Sequence, residues 1–365
     1  MNILIAGGGT GGHLFPGIAL AQELRRRHPT ARIVFVGTAR GIEVRAVPKA
    51  GFELKLIAVS GLRNMQLQRL LKGLVKLPWS LVQALRIVQS LKPQVAVSVG
   101  GYAAGPAMVA ARLLGVRCIV MEQNAIAGIT TRLLAQLATR VIAAMPCPQL
   151  PPDKTAVLGN PVRQDLLPIR AAPYSPRVPL RLLVLGGSQG ARVLNDAMLQ
   201  LLPLLQAAPT SQQPLLRLHI VHQTGLADAA RVAAAYAQSG LPNAGAVAFI
   251  DDMATAYAQA DLLLCRAGAT TLAEVTVCGR PSLLVPFAAA AGDHQSHNAA
   301  VLVRKRAAQL LPQETLTGAG LYKILSQLSQ SPSKLASMAQ AAHALGRPQA
   351  VQDIADVVLR EVARA

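Results

Sequence analysis

Aromatic side chains are scarce in this 365-residue chain, which has five Phe, five Tyr and one Trp. Its cores must therefore be filled by Leu, Val, Ala and Ile. A nucleic-acid surface built on base stacking is also disfavoured, because none of these aromatics is interleaved in a basic run. Cysteine is equally thin: Cys118, Cys147, Cys265 and Cys278 are scattered, with no C-x-x-C pair. That excludes an evident disulfide framework or zinc site and fits a reducing compartment. No segment reads as a membrane span. Residues Pro93–Ala111 lack charge but are broken by Gly100-Gly101 and Gly105-Pro106, and the uncharged run Ala197–Leu216 holds two prolines and several glutamines. A strand pattern begins at Asn2, so no cleavable signal is expected and the protein should be soluble or peripheral.

Acidic residues are also missing, and unevenly. Residues 1–160 hold 19 Lys/Arg against Glu23, Glu43, Glu53, Glu122 and Asp153, a net of +14 out of the chain's +19. Between Glu53 and Glu122 there is no acid at all, while nine basic residues occur. A basic half of this kind points to nucleic acid or an anionic membrane surface.

What is present is apolar punctuation. The chain is 52% hydrophobic and long enough for two domains of ordinary size. Short apolar runs at Ile3–Ala6, Ile33–Val36, Val95–Val99, Cys118–Met121 and Val141–Ala144 alternate with helical stretches, the pattern of a parallel α/β sheet. The rhythm restarts at Leu182–Leu185, Leu218–Val221, Ala246–Phe249, Leu262–Cys265 and Ser282–Val285. Between the two series, Pro146 to Pro179 holds nine of the 24 prolines, where a linker belongs. Val351, Ile354, Ala355, Val358 and Val362 form one face of a final helix, whose partner periodicity cannot name.

Two strand patterns end in glycine-rich turns, Gly7-Gly-Gly-Thr-Gly-Gly-His13 and Gly186-Gly-Ser-Gln-Gly190. Backbone N–H groups at such strand-to-helix turns meet phosphate, and Thr10 matches Ser188 in register. Gly7, Gly9 and Gly12 satisfy G-x-G-x-x-G, yet the strand Ile33–Val36 ends in Gly37-Thr38 with no acid for a ribose, so a dinucleotide reading is weak. No Gly-Lys-Ser/Thr follows, which excludes a P-loop. His13 falls in the first turn of a helix, where the dipole favours the neutral imidazole a general base requires.

Eight ordered blocks then identify a resemblance. Gly8–His13 with Phe15-Pro-Gly17, Gly100–Pro106, Glu122-Gln-Asn124, Gly159–Arg163, Gly186–Ala191, Arg266–Glu274 and Asp293-His-Gln295 are similar to the MurG family of N-acetylglucosaminyltransferases. The resemblance implies a GT-B fold, with two Rossmann-like parallel-sheet domains facing a cleft. It implies domains of 1–160, with a returning C-terminal helix at about 347–365, and 161–346, the latter binding UDP-GlcNAc. The implied reaction is inverting transfer of GlcNAc from UDP-GlcNAc to the muramoyl 4-hydroxyl of lipid I, giving lipid II at the cytoplasmic face of the plasma membrane. No cofactor and no metal are implied, since a helix N-terminus can stabilise the departing UDP.

Carried over by motif, Thr10, Gly11 and Gly12 approach the diphosphate from the first domain and Ser188 from the second. Arg163 adds charge near the nucleotide, and Asn124 contacts the sugar. Phe249 and Ile250 match the segment holding uracil, Ile250 through its backbone. Ala269, Thr270, Thr271, Leu272, Ala273 and Glu274 form a loop and helix start, with Glu274 on the ribose. Gln295 reads GlcNAc hydroxyls, His13 is the base, and Tyr102 and Glu122 lie on the acceptor side. Met121 and Ala125 depart from the His and Gly of many family members.

A lipid-borne acceptor requires contact with the bilayer. In residues 65–76, Leu67, Leu70, Leu71 and Leu74 share a helical face opposite Arg69, Lys72 and Lys76, with Pro78 and Trp79 following. Such a segment can lie on anionic lipid or pack its leucines into a core. Two alternatives remain beside this reading: a nucleic-acid-binding module, suggested by the pI near 10.9, and a UDP-GlcNAc 2-epimerase, which would turn over without an acceptor.

Overall fold

Both faces of β1 (Asn2–Gly7) are apolar, and they enter different cores. Ile3 and Ile5 join one cluster and Leu4 and Ala6 the other, as a strand covered by helices on both sides requires. The computed structural model describes residues 1–59, 67–187, 189–207 and 218–365, without side chains for 67–77 and Ala291. In it the chain divides into two units, residues Met1–Val162 with Pro348–Ala365, and residues Arg163–Arg347.

Among the described residues, unit 1 is a seven-stranded parallel sheet. Its strands are β1, β2 (Arg32–Gly37), β3 (Glu53–Leu56), β4 (Val95–Gly100), β5 (Arg117–Glu122), β6 (Arg140–Ala143) and β7 (Thr155–Val157), in the order β3-β2-β1-β4-β5-β6-β7. Helices α1 (Gly11–Arg27) and α2 (Glu43–Lys49) cover one face together with the C-terminal helix Ala350–Val362. Helices α3 (Leu67–Leu91), α4 (Ala104–Leu113) and α5 (Ile129–Leu137) cover the other. The C-terminal helix buries Ile354, Ala355 and Val358 against the α1 face. Its Glu361, 2% exposed, accepts from Arg117 at 2.6 Å, while Asp356 pairs with Arg27 of α1. No helix among the described residues is long and apolar enough to cross a membrane.

Unit 2 repeats the plan with six parallel strands: β8 (Leu180–Leu185), β9 (Leu218–Gln223), β10 (Ala244–Val247), β11 (Leu262–Cys265), β12 (Ser282–Leu284) and β13 (Ala308–Leu310), ordered β10-β9-β8-β11-β12-β13. The alternation of apolar runs is therefore realised as two Rossmann-like sheets. Strands β3, β7 and β13 lie at sheet edges, and their sequences ELKL, TAV and AQL carry too little apolar signal to announce them. β10 starts two residues before the apolar run at Ala246–Phe249, because Asn243 already accepts from Ile220. That leaves Phe249 exposed in the following loop.

In each sheet the chain reverses direction once, between β1 and β4 and between β8 and β11. Strand ends diverge there, and the crevice at their carboxyl ends is where open α/β sheets take ligands. Both glycine turns follow the first strand of such a pair.

The C-terminal helix is a structural part of unit 1. Ile354→Ala is expected to cost about 3 kcal/mol through lost burial and a residual cavity. A lowered urea midpoint, with helix content at zero denaturant retained, is the measurement that checks it.

Candidate functional site

At the switch point of unit 1, the turns after β1 and β4 cross at backbone distance. Gly8 N–H donates to Gly100 O at 3.1 Å, and a Cβ on Gly7 would run into the Gly100 carbonyl. Glu43 fills the space behind the first turn. Its carboxylate, in a residue 1% exposed, accepts from Gly9 N (2.8 Å), Thr38 N (2.9 Å) and Thr38 Oγ1 (3.0 Å). Burial alone would raise its pKa, but the bonds from Gly9 and Thr38 outweigh burial and the net shift is downward. Glu43 is thus an internal anion. It engages the Gly9 N–H, which is thereby not free for a phosphate.

Beyond the turn, Thr10 is the extended N-cap of α1, exposed and without a side-chain cap bond. Gly11 and Gly12 open the helix, where N–H groups lack intrahelical acceptors. His13 follows in that first turn. Its Nδ1 lies 3.0 Å from Gln123 Oε1, and a Cβ on Gly100 would stand 2.7 Å from the same nitrogen. Beside it, Asn124 donates from N (2.9 Å) and Nδ2 (3.0 Å) to Glu122 Oε1, so the buried Glu122 orients Asn124. Tyr102, after β4, is exposed.

Unit 2 builds its switch point differently. Helix Arg192–Gln206 starts directly after the second turn, with no side-chain cap on its first N–H groups, an arrangement suited to an anion. Ser188 lies outside the described residues. The turn rests on a buried polar chain. Gly190 packs so closely on Thr224 O that no Cβ would fit, and Asn195 Nδ2 donates to the same carbonyl. Asn195 Oδ1 lies 3.0 Å from Nε2 of His222, whose pKa burial lowers to about 4 and which therefore stays neutral.

After β11, helix Ala269–Val277 begins at the N-cap Gly268, and this short segment carries Ala269, Thr270, Thr271, Leu272, Ala273 and Glu274. Thr270 Oγ1 is buried without a partner among the described residues. Glu274 is held by the fully buried Tyr257, whose hydroxyl donates to Oε2 at 3.0 Å, and Arg163 Nε stands 3.8 Å from Oε1. Burial pushes the Glu274 carboxyl up, and Arg163 and Tyr257 only partly offset that. Gln295 is aimed by two backbone donors: Oε1 accepts from Ala267 N (3.3 Å) and Phe287 N (3.0 Å), which turns Nε2 outward. Ile250 N–H is taken by Gln223 Oε1 at 3.3 Å, which leaves its carbonyl as the backbone group not engaged by that contact.

The structure thus gathers Thr10, Gly11, Gly12, His13 and Asn124 at the switch point of unit 1. In unit 2 it gathers Arg163, Ala269–Glu274 and Gln295. Three contributors escape sequence reasoning. Glu43 reads only as one of the few acids of the basic half, Gln123 stands in a motif without a role, and Tyr257 carries no signal at all.

The glycosyltransferase family 28 N-terminal domain matches residues 3–143, and the family's C-terminal domain matches residues 181–356. The UDP-N-acetylglucosamine–N-acetylmuramyl-(pentapeptide) pyrophosphoryl-undecaprenol N-acetylglucosamine transferase of Myxococcus xanthus is 45% identical, over 98% of this chain and 92% of that protein. The crystal structure of Acinetobacter baumannii MurG superposes with a TM-score of 0.81 at 31% identity, covering 98% of this chain and 99% of that one. A UDP-GlcNAc 2-epimerase from Neisseria meningitidis, bound to UDP-GlcNAc, shares the fold at a TM-score of 0.65 and 14% identity, over 99% of this chain and 100% of that one.

Glu43→Gln puts an amide NH2 against backbone donors and is expected to cost about 2 kcal/mol at pH 7. Because the folded pKa is depressed, the wild-type advantage exists above the ordinary value of 4.5 and is lost as pH falls through the folded value. Urea midpoints of the two proteins should therefore converge in acid.

Proposed function

The chain belongs to glycosyltransferase family 28, among the N-acetylglucosamine transferases named MurG, and from that premise we propose how its residues divide the reaction. The enzyme transfers GlcNAc from UDP-GlcNAc to the 4-hydroxyl of the muramoyl residue of lipid I, with inversion, yielding lipid II and UDP. The observation that carries this reading is the Glu274 cluster, a buried carboxylate pinned by Tyr257 beside the Arg163 cation. A carboxylate so held accepts two vicinal ribose hydroxyls, while Arg163 offsets nucleotide charge. Ile250 offers its carbonyl to the uracil, beside exposed Phe249. Thr270 Oγ1 and Gln295 Nε2 serve the phosphate and the sugar. Ser188 and the N-terminus of helix Arg192–Gln206 receive the charge that develops on UDP.

Unit 1 supplies the acceptor chemistry. His13 takes the proton of the 4-hydroxyl as that oxygen attacks C1 of GlcNAc. The bond from C1 to the β-phosphate oxygen breaks, and its electron pair leaves on UDP. The proton ends on the imidazole. Thr10 and the N–H groups of Gly11 and Gly12 approach the diphosphate, and Asn124, oriented by Glu122, contacts the sugar.

Unit 1 also supplies the membrane contact, at the cytoplasmic face and without insertion of a span. Helices α3, α4 and α5 cover one face of its sheet, and several of their outward residues are apolar. On α5, Ile129 and Leu133 are 69% and 66% exposed at helical spacing, followed by exposed Leu137. Trp79 of α3 is 53% exposed, with the Arg86 guanidinium 5.9 Å from its ring. An apolar surface edged by base suits anionic lipid. The leucine face at 65–76 reaches the start of α3, residues 65 and 66 lying outside the described residues.

Labelled GlcNAc should pass from UDP-GlcNAc to a lipid I analogue, with no turnover of UDP-GlcNAc alone; acceptor-free epimerisation would establish the alternative. His13→Ala should lower kcat by roughly a hundredfold or more with donor binding retained, as for loss of a general base. In vesicle sedimentation, Trp79→Glu with Leu133→Glu should weaken binding to anionic vesicles by roughly tenfold while sparing turnover on a soluble acceptor. Unaltered vesicle binding would remove the membrane assignment.

A further inference from the structure

An imidazole acts as a base only through a nitrogen that carries no hydrogen, and its two nitrogens exchange that role with the tautomer. We infer that Gln123 is a positioning residue that holds His13 in the Nδ1–H tautomer and so directs its basic lone pair to Nε2. This inference rests on His13 being the base of the transfer.

The orientation of the Gln123 amide follows from what surrounds it. Gln123 is 2% exposed, at the carboxyl end of β5. Its Nε2 donates to the backbone carbonyl of Val99 at 3.3 Å. A carbonyl can only accept, so the amide NH2 belongs on that side and Oε1 on the other. Oε1 lies 3.0 Å from His13 Nδ1 and can itself only accept. The hydrogen between them therefore sits on Nδ1, and in the neutral ring that a base requires Nε2 is left bare. The Val99 carbonyl is fixed, because it belongs to β4 and does not turn.

Two neighbours sharpen the assignment. Glu122 is next in sequence, but its Oε1 is engaged by the amide and side chain of Asn124, so it serves a different residue. Gly100 admits the imidazole edge: a Cβ there would stand 2.7 Å from Nδ1 and 3.0 Å from Cε1, forcing the ring off Gln123. The arrangement matches the logic by which a third group orients the base of a catalytic triad, here with a neutral amide in place of a carboxylate. A neutral partner selects the tautomer without adding charge beside the ring.

The test is the tautomer itself, read from long-range 1H–15N correlations of 15N-histidine-labelled enzyme, with His13→Ala identifying the His13 signals. Wild-type His13 should show a protonated Nδ1 and a bare Nε2, a result that needs no substitution. Gln123→Leu should give mixed tautomers and a kcat lower by roughly tenfold to a hundredfold, with donor KM within about twofold. Gln123→Glu keeps an acceptor toward Nδ1, although it gives up the bond to Val99, and should restore the Nδ1–H tautomer and most of the lost turnover. A bare Nδ1 in the wild type would overturn the inference, as would wild-type tautomer and kcat in Gln123→Leu. Full turnover by His13→Ala would instead remove the base assignment and leave the tautomer result standing.

Discussion

A parallel sheet whose strand order reverses must open a gap at the reversal, because the connections on either side leave in opposite directions. The rest of this molecule follows from that constraint, met twice. In unit 1 the gap lies between β1 and β4, in unit 2 between β8 and β11. The gap of unit 1 is lined by backbone, through the crossing of Gly7 and Gly8 with Gly100, and the glycine turn of unit 2 is seated by Gly190 on Thr224, at the β9 side of β8. Only after the backbone has come this close can a few polar side chains be set at fixed distances. The two units are then furnished differently. In unit 1, Glu43 anchors the glycine turn from the β2 side while His13 opens α1; in unit 2 the helix N-terminus after the turn has no side-chain cap, and a carboxylate and a cation meet at Glu274 and Arg163.

Charge placement shows what this furnishing costs. Glu43 is buried but over-satisfied, so its ionised form stabilises the fold at neutral pH. Glu274 is buried and under-satisfied, with its pKa raised by desolvation. For a carboxyl of that kind the sign reverses: its contribution to stability is present below the ordinary value of 4.5 and lost as pH rises through the folded value. Unit 2 thus carries a carboxyl whose charged form its fold disfavours, as expected of a group kept for a ligand.

The interior of both sheets was legible in the sequence, because strands buried on both faces read as unbroken apolar runs. Three of the four edge strands were not, since segments such as Glu53–Leu56 and Ala308–Leu310 carry no such run, and in the fourth, β10, the apolar run starts two residues late. The same division holds for the site. Thr10, His13, Arg163 and Glu274 stand in local motifs and were readable. Gln123, Tyr257 and Glu43 act across separations of 110, 17 and 34 residues, and their meaning lies wholly in the partner each one reaches. A motif records which residue types are present, whereas the orientation of an amide or carboxylate appears only when the chain is folded.

The C-terminal helix carries a consequence for the order in which this protein is made. Residues Met1–Val162 of unit 1 are synthesised before unit 2, yet the α1-side core of unit 1 lacks Ile354, Ala355 and Val358 until unit 2 has been made. Arg117 likewise waits for Glu361. Unit 2, a continuous segment from Arg163 to Arg347, has its whole core in hand earlier. The half that is synthesised first is therefore the half that is completed last. The growing chain must carry the uncovered β1 face through the synthesis of the whole of unit 2, a span in which exposed apolar surface is a target for chaperones and a route to aggregation.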